Sequence, residues 1–223
     1  MSFSGYPTDG LHLLTRIGAH DRAWFDRHRD RYQAEIVAPT KHLVTAVGDA
    51  LARDLSADIV AQPRTNGSIA PINNDVRFAR DTPPYKDHLL LRFWEGRDKK
   101  VAPTLFVRVS EPSIGFATGV QFSSLDRWRQ LIDDEQTGGA LAASLGRLAR
   151  GRTLEVVGQA LKRVPAPYAT DHPRADLLRH KGLQARWGEP TPAAIHSTKF
   201  VDWCVRRLMA CREVHRWLVT HTP

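Results

Sequence analysis

Asp75 and Asp81 stand six residues apart with Arg77 and Arg80 between them, and Lys86, Asp87 and His88 follow within the next seven positions. Two carboxylates at such spacing can share acid–base work, with His88 or Lys86 tuned by proximity. The same residue types also make a charge-compensated network, and ion pairs perturb titration without any catalysis. Asp75, Asp81 and His88 are the candidate catalytic residues. Arg29, Arg77, Tyr85 and Lys86 are the candidate ligand-binding residues.

In "DVRF" the period of two puts Asp75 and Arg77 on one face of an extended segment and Val76 and Phe78 on the other. "RDTPPYK" then has to turn sharply, because Pro83 and Pro84 fix their own backbone angle and restrict the residue before them. Such a turn holds Asp81, Tyr85 and Lys86 with little freedom. That suits a binding site organised before its ligand arrives, and it suits a strand crossing equally.

Arg29 belongs to the same question. Phe25, Arg29, Tyr32 and Ile36 recur at helical spacing, which predicts an inward guanidinium. A buried charge needs a counter-charge, and Asp75 or Asp81 is the expected partner. Arg29, Arg77 and Lys86 would then line one polar, cationic pocket.

Other chemistries find less support. His20–Asp21, Asp87–His88 and Asp171–His172 are neighbours, but there is no HExxH or cysteine-rich spacing, so no metal site is assigned. Nucleophile elbow, phosphate-binding glycine loop and dinucleotide fingerprint are all missing, so those enzyme classes lose support, and the sequence leaves any cofactor unknown. The two cysteines, Cys204 and Cys211, are seven residues apart in a helical pattern, a rise of about 10 Å. A disulfide needs alpha carbons within about 7 Å, so reduced core cysteines are expected.

The chain has 223 residues and a net charge of +8, unevenly spread. Residues 1–120 carry 16 basic and 14 acidic side chains, and residues 121–223 carry 16 and 10. Within the basic half, Arg147, Arg150, Arg152, Lys162 and Arg163 are locally opposed only by Glu155. A basic face attracts phosphorylated metabolites or nucleic acid and also simply keeps a protein soluble. No zinc-finger spacing, aromatic RNP stretch or helix-turn-helix accompanies it. No apolar run has membrane-spanning length, and "MSFSGYPTDG" lacks the features of a secretory signal, so a cytoplasmic location without membrane contact is expected.

These residues must be placed by a framework readable from periodicity. Thr8 or Asp9 can cap a first helix that Gly18 can end, Asp21 a second, and Pro39 fits the first turn of a third. From residue 58 short runs suit strands: "ADIVA", "GSIAPI", "DVRF", "LLLRFW", "TLFVRVS" and "SIGFATGVQF". Their short connections predict an antiparallel sheet. Helical periodicity returns in "SLDRWRQLIDD" and "GALAASLGRLAR"; "TLEVVGQALKRVP" reads as strand or helix. A short helix in "HPRADLLRHKG", with Asp171 as its cap, a strand at "LQARW" and one long terminal helix complete the order. The expectation is a single α+β domain over residues 1–223, with Trp94, Trp128 and Trp187 as core or rim residues.

"GYPTDGLHLL", "AWFDRHRDRY", "DVRFARDTPPYKDHL" and "LKRVPAPYATDHPRADLLRHKG", in this order, resemble the successive signatures of a bacterial and fungal family called domain of unknown function 2461. The resemblance implies an α+β domain. It marks Trp24, Phe25, Arg29 and Tyr32, then Asp75, Arg77, Phe78, Asp81, Pro84, Tyr85, Lys86 and His88, then Asp171, His172, Pro173 and Lys181 as pattern positions. It brings no established activity. Asn74, Ala79 and Thr82 depart from the family's usual Arg, Ser and Lys, and the loss of two cations weakens an anion pocket there. Three functions fit these observations. One is a protein, enzyme or simple binder, that takes a small anionic molecule at the DVRFxxDxPPYKxH motif. A second is a nucleic-acid or protein-binding module using the basic C-terminal half. In the third, the polar motif only supports folding.

Overall fold

Helices built on apolar stripes open the chain, and extended segments follow them. A computed structural model describes residues 2–75 and 82–222. Helix α1 (Thr8–Ala19) buries Leu11, Leu13, Leu14 and Ile17, which recur at helical spacing. Its N-cap is Pro7, with no side-chain cap, so neither Thr8 nor Asp9 takes the expected role. Helix α2 (Arg22–Tyr32) starts as expected, with the Asp21 carboxylate accepting from the Trp24 N–H at 2.8 Å.

Between α2 and α3 (Ala38–Asp54) the chain stays helical through a π-helical turn, Gln33–Val37. Pro39, in the first turn of α3, has no N–H to give to the fourth carbonyl before it, and its ring needs room there. The wider turn just upstream supplies that room.

The strands are β1 (Ile59–Val60), β2 (Leu89–Glu95), β3 (Thr104–Val109), β4 (Ser113–Gln121), β5 (Glu155–Val157) and β6 (Gly182–Pro190). They form one antiparallel sheet in the order β1-β2-β3-β4-β6-β5. The undecided "TLEVVGQALKRVP" contributes β5, pairing Val156 with Ala185. "GSIAPI" joins the sheet only through isolated bridges such as Ile69 to Leu91, and "DVRF" lies largely outside the described residues. Helices α4 (Leu125–Asp133), α5 (Glu135–Ala149), α6 (Ala175–Arg179), α7 (Lys199–Ala210) and α8 (Arg212–His221) complete an α+β fold.

The expected single terminal helix is thus two, with Cys211 between them at φ −75°, ψ −7°. Both cysteines are free and fully buried, and burial pushes the Cys211 thiol up to about 12. Asp171 does not cap α6, whose N-cap is Arg174 without a side-chain bond. Arg174 instead reaches back to the end of α4, donating to the Ile132 carbonyl at 2.6 Å and the Asp133 carbonyl at 2.9 Å. A helix end leaves such carbonyls unsatisfied, so a guanidinium there caps it.

Residues divide into two compact units. The first comprises 1–93, 106–115 and 188–207. Its core includes Phe3, Tyr6 and Phe200, with the Phe3 and Tyr6 rings edge-on at 5.5 Å and the Tyr6 hydroxyl on Thr40 at 2.9 Å. The second comprises 94–105, 116–187 and 208–223. There Trp128 meets Trp217 edge-on at 5.9 Å and donates its indole N–H to the Leu177 carbonyl at 2.9 Å. Trp94, Trp128 and Trp187 are all buried.

The same unit encloses a polar cluster. His215 is fully buried, with Nδ1 3.3 Å from the Thr118 hydroxyl and Nε2 3.1 Å from Glu95. Buried polar atoms are tolerated only with partners, and this imidazole has one at each nitrogen.

Candidate functional site

The candidate site lies in the first unit, where the motif's ends are tied together. Asn74 N–H donates to the Pro84 carbonyl and Lys86 N–H to the Ile72 carbonyl, each at 2.9 Å, so residues 72–74 run antiparallel to 84–86. The Asn74 amide adds a bond to the Pro83 carbonyl at 2.9 Å. A neutral side chain thus helps to hold the proline turn.

Lys86 ties the same segments from the side. Its ammonium donates to the Pro71 carbonyl at 2.8 Å and the Asn73 carbonyl at 2.5 Å. An ammonium has three donors, so one N–H is left. Among the described residues no carboxylate pairs with it. Burial, aided by the nearby Arg92 charge, holds Lys86 below its ordinary value. Arg92 is half-buried, its Nε has no acceptor among the described residues, and burial lowers it too.

Asp87 and His88 form a second cluster. His88 Nδ1 lies 2.7 Å from Asp87 Oδ1, and the Arg108 guanidinium reaches that oxygen at 3.3 Å. The His88 hydrogen bond, with the charges of His88 and Arg108, draws the Asp87 carboxyl below its usual range. His88 is also lowered, chiefly by burial and further by Arg108 and Lys86, against the raising effect of Asp87. The influence of Lys86 on His88 places both in one electrostatic field.

An open cleft of about 390 Å³ is bordered by this segment on one side, through Asn74, Pro83 and residues 85–88, and by α1 on the other, through Thr15, Gly18 and Ala19. The approach of α1 is close. A Cβ on Gly18 would stand 2.7 Å from the Asp87 Cβ and 2.9 Å from its Cα, so only glycine fits without a shift. Thr15 donates to Glu111 Oε2 at 2.6 Å, and His12 meets the other oxygen at 2.5 Å. Sequence reasoning weighed Asp87 only within the charged motif and as a neighbour of His88, and it missed Thr15, Gly18 and Arg108 as site residues. Those three come from segments far from the motif, and only the close packing at Gly18 carried a readable hint, a glycine near a helix end.

A family model described as conserved hypothetical protein (DUF2461) matches residues 11–217. The chain belongs to this family. No curated protein and no solved structure matches it. DUF2461 membership covers every candidate residue, and within it the structure separates them. Lys86 and His88 border the cleft. Tyr85 borders it too, but its ring is buried against Phe25 at 4.3 Å.

Arg29 is a correction: its side chain is 55% exposed and pairs with Asp26 at 2.5 Å on its own helix, with the guanidinium 5.1 Å from the Phe25 ring centroid. At 100° per residue, Trp24, Phe25, His28 and Tyr32 centre the covered face about 85° away from Arg29. The stem therefore lies along Phe25 while the head reaches solvent. Arg77 and Asp81 lie outside the described residues; Asp75 is described and has interaction partners.

The basic surface also reads differently. Arg147 pairs with Glu213 at 2.5 Å, a partner far away in sequence. Glu155 pairs with Arg186 rather than with the Arg147–Arg163 group, at 2.8 Å. Arg152 caps the Leu148 carbonyl at 3.0 Å and lies over the Trp187 ring. His172 meets Asp133 at 3.4 Å and accepts from the Arg174 N–H, which gives it a local structural role.

Proposed function

We propose that this protein binds a small anionic molecule in the cleft beside Lys86. The observation that carries the reading is the state of that ammonium. It is partly buried, held in place by two carbonyls, left with one N–H, and without a paired carboxylate among the described residues. Removing a charge from water without pairing it is costly, so an anion supplied from solution would satisfy it. Carbonyl acceptors fix the ammonium before a ligand arrives, which lowers the ordering cost of binding. A cleft of about 390 Å³ is within the range of small-molecule sites. The proximity of Arg92 and Arg108 adds positive potential, offset in part by the Asp87 carboxylate.

Thermal melting of wild type and Lys86→Met with phosphates, nucleotides, carboxylates and short oligonucleotides tests this. A ligand present at a hundred times its dissociation constant stabilises the folded state by about 2.7 kcal/mol. For a chain of this size that is a rise of about 5–10 °C. Such a rise is expected from a small anion, and Lys86→Met is expected to remove the ligand-dependent part whatever its own melting point. A rise from oligonucleotides alone, equal in both proteins, would move the function to the basic surface.

A further inference from the structure

We infer that His88, oriented by Asp87, is the proton-exchanging group of this cleft: its Nε2 takes up a proton when a doubly charged oxyanion binds, and donates a hydrogen bond to that ligand beside Lys86. This rests on the anion-binding reading and adds to it a second contact group and a ligand class.

Asp87 fixes the tautomer. An ionised carboxylate only accepts hydrogen bonds, so the 2.7 Å contact between Asp87 Oδ1 and His88 Nδ1 puts a proton on Nδ1. In the neutral ring Nε2 is then an acceptor, and it has no partner among the described residues. An acceptor cannot hold an anion's oxygen. Protonated, the same atom becomes a charge-assisted donor.

The groups around the ring set when that happens. Asp87 favours the charged form. Arg108 from β3, which shares the Asp87 oxygen at 3.3 Å, and Lys86 oppose it, as does burial. From α1, Thr15 contributes only a hydroxyl, committed to Glu111, whose other oxygen takes His12. Without a ligand, two cations and burial leave the imidazole neutral at neutral pH. A dianion at Lys86 offsets both cations and makes the proton favourable. A carboxylate, with one charge, offsets half as much. The ligand class is therefore a dianionic oxyanion such as a phosphate or sulfate group.

Sulfate is the probe, because it does not itself take up a proton near neutral pH. Calorimetric titration in two buffers of different ionisation enthalpy reads the protons bound. Wild type is expected to take up as much as about one proton per sulfate, with affinity falling by up to about tenfold per pH unit above the titration of the free cleft. His88→Gln is expected to bind sulfate more weakly, with no uptake and a flat pH profile. Sulfate binding without proton uptake in wild type, or uptake unchanged in His88→Gln, would overturn the inference and leave anion binding standing. Acetate bound as tightly as sulfate would also overturn it alone. Failure of sulfate, phosphate and acetate to bind at all would overturn both.

Discussion

Gly18→Ala probes the contact that shapes the cleft. The added methyl would stand 2.7 Å from the Asp87 Cβ and 2.9 Å from its Cα and N, against an ordinary carbon separation of about 3.5–4.0 Å. Asp87 or the end of α1 therefore has to retreat by about 1 Å. Overpacking of this kind costs about 1–3 kcal/mol. Replacing a helical glycine by alanine also returns up to about 1 kcal/mol, so a control is needed. Gly139, inside α5, has nothing within 4 Å of the place a Cβ would occupy, and Gly139→Ala isolates that gain. The two single variants should differ by the packing cost alone, a gap of about 2–12 °C in melting midpoint at about 2–4 °C per kcal/mol. Thermal denaturation gives the midpoints, and the His88 imidazole resonance reports whether its bond to Asp87 has changed. Equal midpoints together with an unmoved His88 resonance would refute the close approach of α1 to Asp87.

Three further outcomes follow from the same geometry. Thr118→Val removes the hydroxyl beside buried His215 Nδ1 and should cost about 1–3 kcal/mol in urea unfolding, whereas an unchanged midpoint would mean the 3.3 Å contact contributes nothing. His88 is held below its ordinary value of 6.5 in the folded chain, so the unfolded chain binds the proton first. Stability is therefore lost as pH falls below about 6.5, and His88→Gln should flatten that part of a melting-against-pH curve; an identical slope would show that His88 is not depressed. Cys204 and Cys211, both fully buried with raised thiols, should resist a thiol reagent in the native protein and react together on unfolding. Rapid native labelling would contradict their placement.

Local rules made much of the framework readable in advance. Asp21 as a cap, Pro39 in a first turn, buried cysteines and the runs of β2 to β4 all depend on a few neighbouring residues. The failures share a cause in longer-range packing. Arg29 looked inward because its spacing matches Phe25 and Tyr32, but Trp24 and His28 rotate the covered face away from it. The terminal helix broke at Cys211, where no proline or glycine announced it. Arg147 looked unpaired because Glu213 is 66 residues away. In the site, the motif pointed to Lys86 and His88, while Gly18, Thr15 and Arg108 reach them only through the fold. Spacing along the chain cannot show that Lys86 spends two of its donors on backbone carbonyls.

Anion binding beside Lys86 is tested most directly by mapping backbone amide resonances during a phosphate titration. Saturable shifts are predicted to concentrate at Thr15, Gly18, Asn74 and residues 85–88, and to be lost in Lys86→Met. Shifts confined to Arg150, Lys162 and Arg163, or none that saturate, would contradict the assignment of the cleft as an anion site.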